Sequence, residues 1–201
     1  MLIDECRSLF TLLIACTTTA STEQEKGAAT ATPAPTLEKI AENVWLHKSY
    51  ATVPPWGPIL SHGLVIKTED ELHLVDTAWN IPDTEVLLGL IKTEIGTLPT
   101  KAFVTHAHQD KMGGMDALHE HCVATYAHPW SSTDALSRGL TPPMITLAFA
   151  MTGSKGSLSL LNQATGEAKV EYYYLYPGAG HTRDNIVIYH GPSKILFGGC
   201  L

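Results

Sequence analysis

The residues between 101 and 114 constrain the fold most, because they join an apolar strand to a histidine-rich loop and a glycine pair. His106, His108 and Asp110 occupy alternate positions directly after the strand predicted over 101–105. In an extended loop such side chains project toward one side, and imidazole and carboxylate groups are common metal ligands. Gly113-Gly114 let the backbone turn tightly into a helix. A His-x-His pair alone is equally compatible with packed or solvated histidines, but the whole pattern predicts a metal site.

Composition limits the classes of protein to which the chain can belong. Its 201 residues, 44% of them hydrophobic and 16% charged, are enough for one domain with one substantial core. The formal charge is −7, and no block of lysine or arginine interrupts the sequence. This pattern excludes DNA and RNA as expected partners.

The first 36 residues are expected to lie outside the folded domain. Residues 8–15 form a short apolar stretch typical of an export signal, so we expect a signal peptide over 1–16 and a periplasmic protein. The sequence around Cys16 resembles a bacterial lipoprotein processing site, which would add an outer-membrane lipid anchor. Acidic residues outnumber Arg7 near the start, so a misassigned start codon or a disordered leader stays open. Residues 17–36, rich in Thr, Ala, Ser and Pro, are predicted to be a disordered linker.

From residue 37 onward the sequence alternates between strand and helix patterns. The apolar stretches at 44–47 and 63–67 predict a hairpin, because the prolines and glycine at 53–58 force a turn. Pro82 opens an amphipathic helix whose apolar face includes Val86, Leu87 and Ile91. Further strands are predicted over 72–76, 101–105, 122–126, 170–176, 185–189 and 194–197, and further helices over 115–121 and, capped by a serine, 131–137. The fold class is therefore α/β with mixed sheets.

Four segments together resemble a known family. Residues 105–119 (THAHQDKMGGMDALH) resemble the metal-binding motif of class B1 metallo-β-lactamases, closest to the New Delhi type. The resemblance extends to residues 75–79 (VDTAW), 176–185 (YPGAGHTRDN) and 197–201 (FGGCL), and so covers the chain from about Leu37 onward. It implies the metallo-β-lactamase αβ/βα sandwich over residues 37–201, lacking its C-terminal part.

The resemblance also implies a two-zinc site. His106, His108 and His181 would bind the first Zn²⁺, and Asp110 and Cys200 would be two ligands of the second. Three neutral imidazoles leave the first ion its full charge, so that a bound water ionises near pH 7 and can attack the β-lactam carbonyl. Asp110 would orient that nucleophile. The implied function is hydrolysis of penicillins, cephalosporins and carbapenems, conferring antibiotic resistance on a cell that makes it.

Other residues keep two interpretations. Trp56 and Val53, with Ile59, form an apolar hairpin tip that the resemblance implies closes over substrate, although a packed tryptophan explains it equally well. Asp76 is interpreted as a buried support of the site or as a turn cap. Cys122 is expected to pack within a strand. Seven further histidines are expected to be structural or solvent-facing: His47, His62, His73, His119, His121, His128 and His190.

Two alternatives to an active β-lactamase stay open. Thioesterases of the same superfamily, such as glyoxalase II, usually carry a histidine directly after the motif aspartate, where this chain has Lys111. That difference favours β-lactam over thioester hydrolysis. Class B1 relatives continue past the Cys200 segment with a lysine, an asparagine and a final zinc-binding histidine. The sequence is thus expected to be a partial record of a working enzyme or an inactive truncated zinc-binding product. The working enzyme would act on a small-molecule β-lactam as a monomer.

Overall fold

Two β-sheets and four helices make up the described part of the protein. The structure is a computed structural model that describes residues 32–147, 150–152, 155–159 and 172–200. Seven strands form the first sheet in the order β1-β2-β3-β4-β5-β6-β7, and five form the second in the order β12-β11-β10-β9-β8. The strands are β1 Thr36–Ala41, β2 Val44–Val53, β3 Gly57–Lys67, β4 Leu72–Val75, β5 Lys101–Phe103, β6 Ala124–Ala127, β7 Ile145–Thr146, β8 Ala150–Thr152, β9 Lys155–Ser159, β10 Tyr172–Tyr176, β11 Val187–His190 and β12 Ile195–Phe197; the helices are α1 Ile81–Ile95, α2 Gln109–Met112, α3 Met115–Glu120 and α4 Pro129–Ser137.

The first sheet is mixed, which confirms the predicted α/β class. Strands β1 to β4 pair antiparallel, whereas β4, β5, β6 and β7 pair parallel. Parallel neighbours need a long crossover connection, and α1, α3 and α4 supply crossovers between successive parallel strands. The predicted hairpin is also present, since β2 ends at Val53 and β3 begins at Gly57.

Two apolar cores lie on opposite faces of the first sheet. One core packs the helices against the sheet, with Leu87, Leu88 and Ile91 of α1 meeting strand residues such as Leu74. The other core lies between the two sheets, where the rings of Phe103 in β5 and Tyr174 in β10 stack with centroids 3.9 Å apart. The first sheet is therefore buried on both sides, and its strand ends present the loops that carry the site.

Helix α1 shows where local pattern succeeds and where it fails. Asn80 caps the helix by accepting a hydrogen bond from the Asp83 amide at 2.8 Å, and Gly96 ends it in the left-handed region at φ 93°. The predicted apolar face was wrong at Val86, which is 46% exposed, while Leu88 is buried instead. The sheet covers the face centred on Leu87, Leu88 and Ile91, and Val86 lies outside that face.

Three further local predictions differ from the structure. Helix α4 is capped by the His128 ring, which accepts from the Trp130 amide, and not by a serine. Cys122 lies in a turn before β6 with φ 56° and is exposed, so the prediction that it packs within a strand was wrong. Strand β1 begins at Thr36, the last residue assigned to the linker, and Pro35 before it is buried.

The predictions for the start of the chain lie outside the described residues. These are the export signal over 1–16, lipid attachment at Cys16 and the linker up to residue 31. In the part of the chain that the structure describes, no helix combines the length and the apolar character needed to span a bilayer.

Candidate metal centre

Three histidines from two distant stretches of the chain meet at one end of the sheets. His106 follows β5, His108 precedes α2, and His181 lies in the loop between β10 and β11. Each pair of rings has centroids between 4.7 and 5.1 Å apart and planes between 77° and 89° to one another. One ring nitrogen from each residue lies within 4.8 Å of the other two. The three predicted ligands of the first metal therefore face a common point.

A hydrogen-bond chain beneath His106 sets which of its ring nitrogens can bind a metal. Thr105 donates its hydroxyl hydrogen to Asp76 Oδ2 at 2.9 Å. The Thr105 oxygen lies 3.1 Å from His106 Nδ1, and while an ionised Asp76 takes the only hydroxyl hydrogen, this oxygen accepts from Nδ1–H. Nε2 of His106 is then unprotonated and presents its lone pair.

Asp76 anchors this chain from a strained position at the end of β4. Its side chain is buried, its backbone is left-handed at φ 61°, and its Oδ1 accepts from the Thr105 amide at 2.7 Å. Aspartate tolerates the left-handed region better than most residues. Of the two interpretations of Asp76, the contacts match a buried support of the site.

Replacing Thr105 with valine is expected to weaken metal binding without unfolding the protein. Valine has the same shape but cannot accept from His106 Nδ1, so the metal-binding form of the ring is no longer favoured. Loss of such a partner behind a metal-binding histidine typically costs about 10- to 100-fold in affinity. Calorimetric titration with Zn²⁺ measures the change, and Thr105→Ser, which keeps the hydroxyl, is the control. Equal affinities for the valine and serine variants would contradict the hydrogen-bond chain.

The chemistry of the three-histidine cluster fits a metal ion. His106 is fully buried, yet its Nε2 has no hydrogen-bond partner, an arrangement that costs free energy unless a ligand occupies the position. Burial lowers the pKa of His106 to about 4, and burial followed by the charge of Arg138 lowers the pKa of His108. Both rings are therefore neutral at pH 7, which is the form that binds metal.

Asp110 and Cys200, the two residues predicted for a second metal, are also neighbours. The Cys200 Sγ lies 3.7 Å from Asp110 Oδ2, although the residues are 90 positions apart. Burial raises the pKa of the Cys200 thiol, so the thiol is protonated until a metal displaces the proton. The structure brings this pair together, and its coordination of a metal stays a prediction.

Lys111 lies beneath this pair as a buried cation. Its side chain is 2% exposed, and its Nζ donates to Ser61 Oγ and to the His62 carbonyl, each at 2.9 Å. The same Nζ lies 3.4 Å from Asp110 Oδ2 and 3.7 Å from Asp76 Oδ2. Burial opposes the ammonium charge, but the two carboxylates outweigh it and raise the pKa of Lys111. Lys111 therefore links, through its charge, Asp76 beneath the three histidines with Asp110 beside Cys200.

Glycines allow the close approaches on which this arrangement depends. A Cβ at Gly114 would lie 1.8 Å from Thr84 Oγ1 of α1, so only glycine lets the motif turn pack on that helix. Gly199 adopts φ 64°, and a Cβ there would lie 2.6 Å from Thr105 Oγ1. The glycine before Cys200 thus lets the backbone pass directly over the residue that supports His106.

The remaining predicted residues belong to neither cluster. Trp56, at the hairpin tip, is 75% exposed, and its amide donates to the Val53 carbonyl at 2.8 Å. The packed-tryptophan interpretation therefore does not hold, and the substrate-binding role of Trp56 and Val53 stays a prediction. Among the other histidines, His47 and His73 are buried, and the exposed His121 contacts Glu85 at 2.9 Å.

Fold and site together define a class: a two-sheet α/β protein whose candidate metal centre is built by loops at the strand ends. The model of the Metallo-beta-lactamase superfamily matches residues 56–201. The chain belongs to this superfamily.

Individual relatives agree with this assignment. "Metallo-beta-lactamase type 2" of Pseudomonas aeruginosa is 34% identical over 164 residues, which cover 82% of this chain and 61% of that protein. A solved metallo-beta-lactamase from Hirschia baltica shares 39% identity with a TM-score of 0.73, over 84% of this chain and 72% of that chain. FIM-1 from Pseudomonas aeruginosa, solved in its mono-zinc form, shares 34% identity with a TM-score of 0.66, over 78% of this chain and 65% of that chain. The chain thus spans about three fifths of the length of the curated relative.

Proposed function

We propose that this protein hydrolyses the amide bond of β-lactam antibiotics with the help of zinc, as a class B1 metallo-β-lactamase. The observation that carries the proposal is the cluster of His106, His108 and His181, with the unpartnered Nε2 of His106 at its centre. The relatives named metallo-beta-lactamase support the substrate class. Since the chain spans 61% of the curated relative, the activity is proposed for the whole protein.

Zinc is the metal that this donor set favours. Three imidazole nitrogens match the three-ligand catalytic zinc site, which keeps one position open. A Zn²⁺ ion bound there would supply a nucleophile from water at neutral pH and polarise the lactam carbonyl. A relative solved in a mono-zinc form is consistent with this choice.

The chain's own residues would orient the reaction. Asp110 lies two positions after His108, and its Oδ2 is held by Ser61 at 3.4 Å and Lys111 at 3.4 Å. The fixed carboxylate can accept a hydrogen bond from the attacking water and so direct its lone pair toward the carbonyl. Asp110 and Cys200 would also hold a second zinc, which would supply stabilisation for the negative charge that develops on the lactam nitrogen as the C–N bond breaks.

The environment of Lys111 supports class B1 over a thioesterase. In the thioesterases the corresponding residue is a histidine that binds the second metal. The Lys111 ammonium cannot donate a lone pair to a metal, and it is committed to Ser61 and His62. Cys200 beside Asp110 supplies the alternative ligand.

Hydrolysis assays with and without a chelator test the proposal. We expect protein expressed from its native gene to hydrolyse benzylpenicillin and imipenem, to lose this activity in a chelator, and to regain it with Zn²⁺. The thioester S-lactoylglutathione is the comparison substrate. Turnover of the thioester in place of both antibiotics, or hydrolysis that the chelator leaves unchanged, would overturn the proposal.

Replacing Trp56 with alanine is expected to raise KM for penicillins and carbapenems. The side chain stands 75% exposed at the tip of the β2–β3 hairpin, and β3 also carries Ser61, which contacts Asp110. A lid contact contributing about 1 kcal/mol would change KM about fivefold. Leu136→Ala, which removes another exposed apolar side chain (65%), is the control. Unchanged KM and kcat across both substrate classes would reject the lid role.

A further inference from the structure

The carboxylate of Asp184 is buried behind the three-histidine cluster. Asp184 lies three residues after His181 and is 1% exposed. Its Oδ2 accepts two hydrogen bonds, from the Ala107 amide at 2.9 Å and from the Ser131 hydroxyl at 2.7 Å. Ala107 is the residue between His106 and His108, and its amide is 77 positions away from Asp184 in the sequence. One oxygen atom therefore links the loop of His181 to the turn that carries the other two histidines.

This carboxylate is costly to bury. No ion pair joins Asp184 to any residue that the structure describes, and its Oδ1 is buried without a hydrogen-bond partner. A buried carboxylate without a cation in direct contact is costly, even with Arg183 close enough to interact with its charge, and a neutral residue of similar size would often be better for stability alone. The position of Asp184 is thus better explained by its contact with Ala107 than by stability.

Helix α4 holds the same loop from the outer side. Arg183 pairs with Asp134 through both its Nε, at 2.9 Å, and a terminal nitrogen. The Arg183 guanidinium also lies 5.4 Å from the centroid of the Trp130 ring. Ser131, on the same helix, donates to Asp184 from the inner side. The loop is therefore attached to helix α4 through both Arg183 and Asp184, and Asp184 also connects it to Ala107 by a hydrogen bond.

We propose that Asp184 is a positioning residue that sets the distance between His181 and the His106–His108 turn, with Ser131 orienting its carboxylate. A backbone hydrogen bond from the Ile186 amide to the Thr105 carbonyl at 2.8 Å joins the same two segments, and Asp184 adds a side-chain hydrogen bond between them. The inference rests on the proposed function only in assigning a metal to the three histidines.

Zinc affinity and the absorption spectrum of the Co²⁺-loaded protein test this role. We expect Asp184→Ala to weaken Zn²⁺ binding by about 10- to 100-fold, as loss of such a support typically does, and to shift the visible Co²⁺ bands. Asp184→Asn keeps one oxygen that can accept from Ala107 and Ser131. On a logarithmic scale, its zinc affinity should therefore lie closer to that of the wild type than to that of Asp184→Ala. Ser131→Ala should weaken binding less than Asp184→Ala.

Thr125→Val is the matched control. It removes a buried hydroxyl that accepts from the Met144 amide at 2.9 Å and that belongs to neither cluster, so it should leave zinc affinity and the Co²⁺ spectrum unchanged. Wild-type affinity and spectrum in Asp184→Ala would overturn the inference alone. So would an asparagine variant as weak as the alanine variant, because charge and not position would then be responsible. A wild-type protein that binds neither metal would overturn the proposed function as well, and circular dichroism identifies variants that fail to fold.

Discussion

The alanine variant of His181 is expected to lose first-site zinc binding and nearly all β-lactam hydrolysis. Only two imidazoles, His106 and His108, would then face the common point, one ligand fewer than a catalytic zinc site uses. Residues behind the ligands typically contribute about 10- to 100-fold to metal affinity. We therefore expect loss of a ligand itself to weaken zinc binding by more than about 100-fold. Because the nucleophile depends on the ion, kcat/KM should fall at least as far.

Zinc titration and imipenem hydrolysis measure this effect together. His121→Ala is the matched control, because His121 is also accessible but contacts Glu85 away from the cluster. The control should keep both zinc affinity and turnover. An His181→Ala variant that binds zinc and hydrolyses imipenem like the control would show that the three histidines do not form the centre.

Lys111→Met is expected to lower the free energy of unfolding of the metal-free protein by about 3–5 kcal/mol, the usual cost of breaking a buried ion pair by removing one partner. The ammonium is buried between the carboxylates of Asp76 and Asp110. Methionine fills a similar volume but leaves both carboxylates without a cation. Ser61 Oγ and the His62 carbonyl would also lose a donor.

Urea denaturation of the metal-free variants measures the loss. Lys48→Met removes an exposed ion pair with Glu38, formed at 2.9 Å, and should cost no more than about 1 kcal/mol. Adding Asp76→Asn to Lys111→Met removes one uncompensated charge, so the double variant should regain part of the stability. A Lys111→Met variant as stable as Lys48→Met would contradict a charged, buried Lys111.

Strands and the main helix could be predicted because their causes are local. Two apolar stretches and the turn residues between them predicted the β2–β3 hairpin, and Pro82 with the apolar spacing after it predicted α1. Val86 was placed on the buried face and Leu88 was left out of it, because either fits a helical apolar stripe and only the neighbouring sheet decides which is covered. Similarly, Cys122 continues an apolar run in sequence, but the turn before β6 leaves it exposed.

Some residues of the site could likewise be predicted from the local sequence, whereas others depend on contacts between distant parts of the chain. His106, His108 and Asp110 could be found from the local pattern of strand, alternating ligands and glycine pair, whereas His181 and Cys200 were found only by resemblance, because no local pattern links them to the motif. Asp184 escaped sequence reasoning, since a hydrogen bond across 77 residues leaves no periodic signal. Lys111 was noted only as a missing histidine, because lysine is almost never fully buried and its pairing with Asp76 depends on the fold.

The central claim is that His106, His108 and His181 bind one metal ion. Anomalous X-ray scattering from crystals grown with zinc tests it directly. We expect a zinc peak about 2.0–2.1 Å from one ring nitrogen of each of the three histidines. A zinc-loaded protein whose anomalous peaks all lie away from these rings would contradict it.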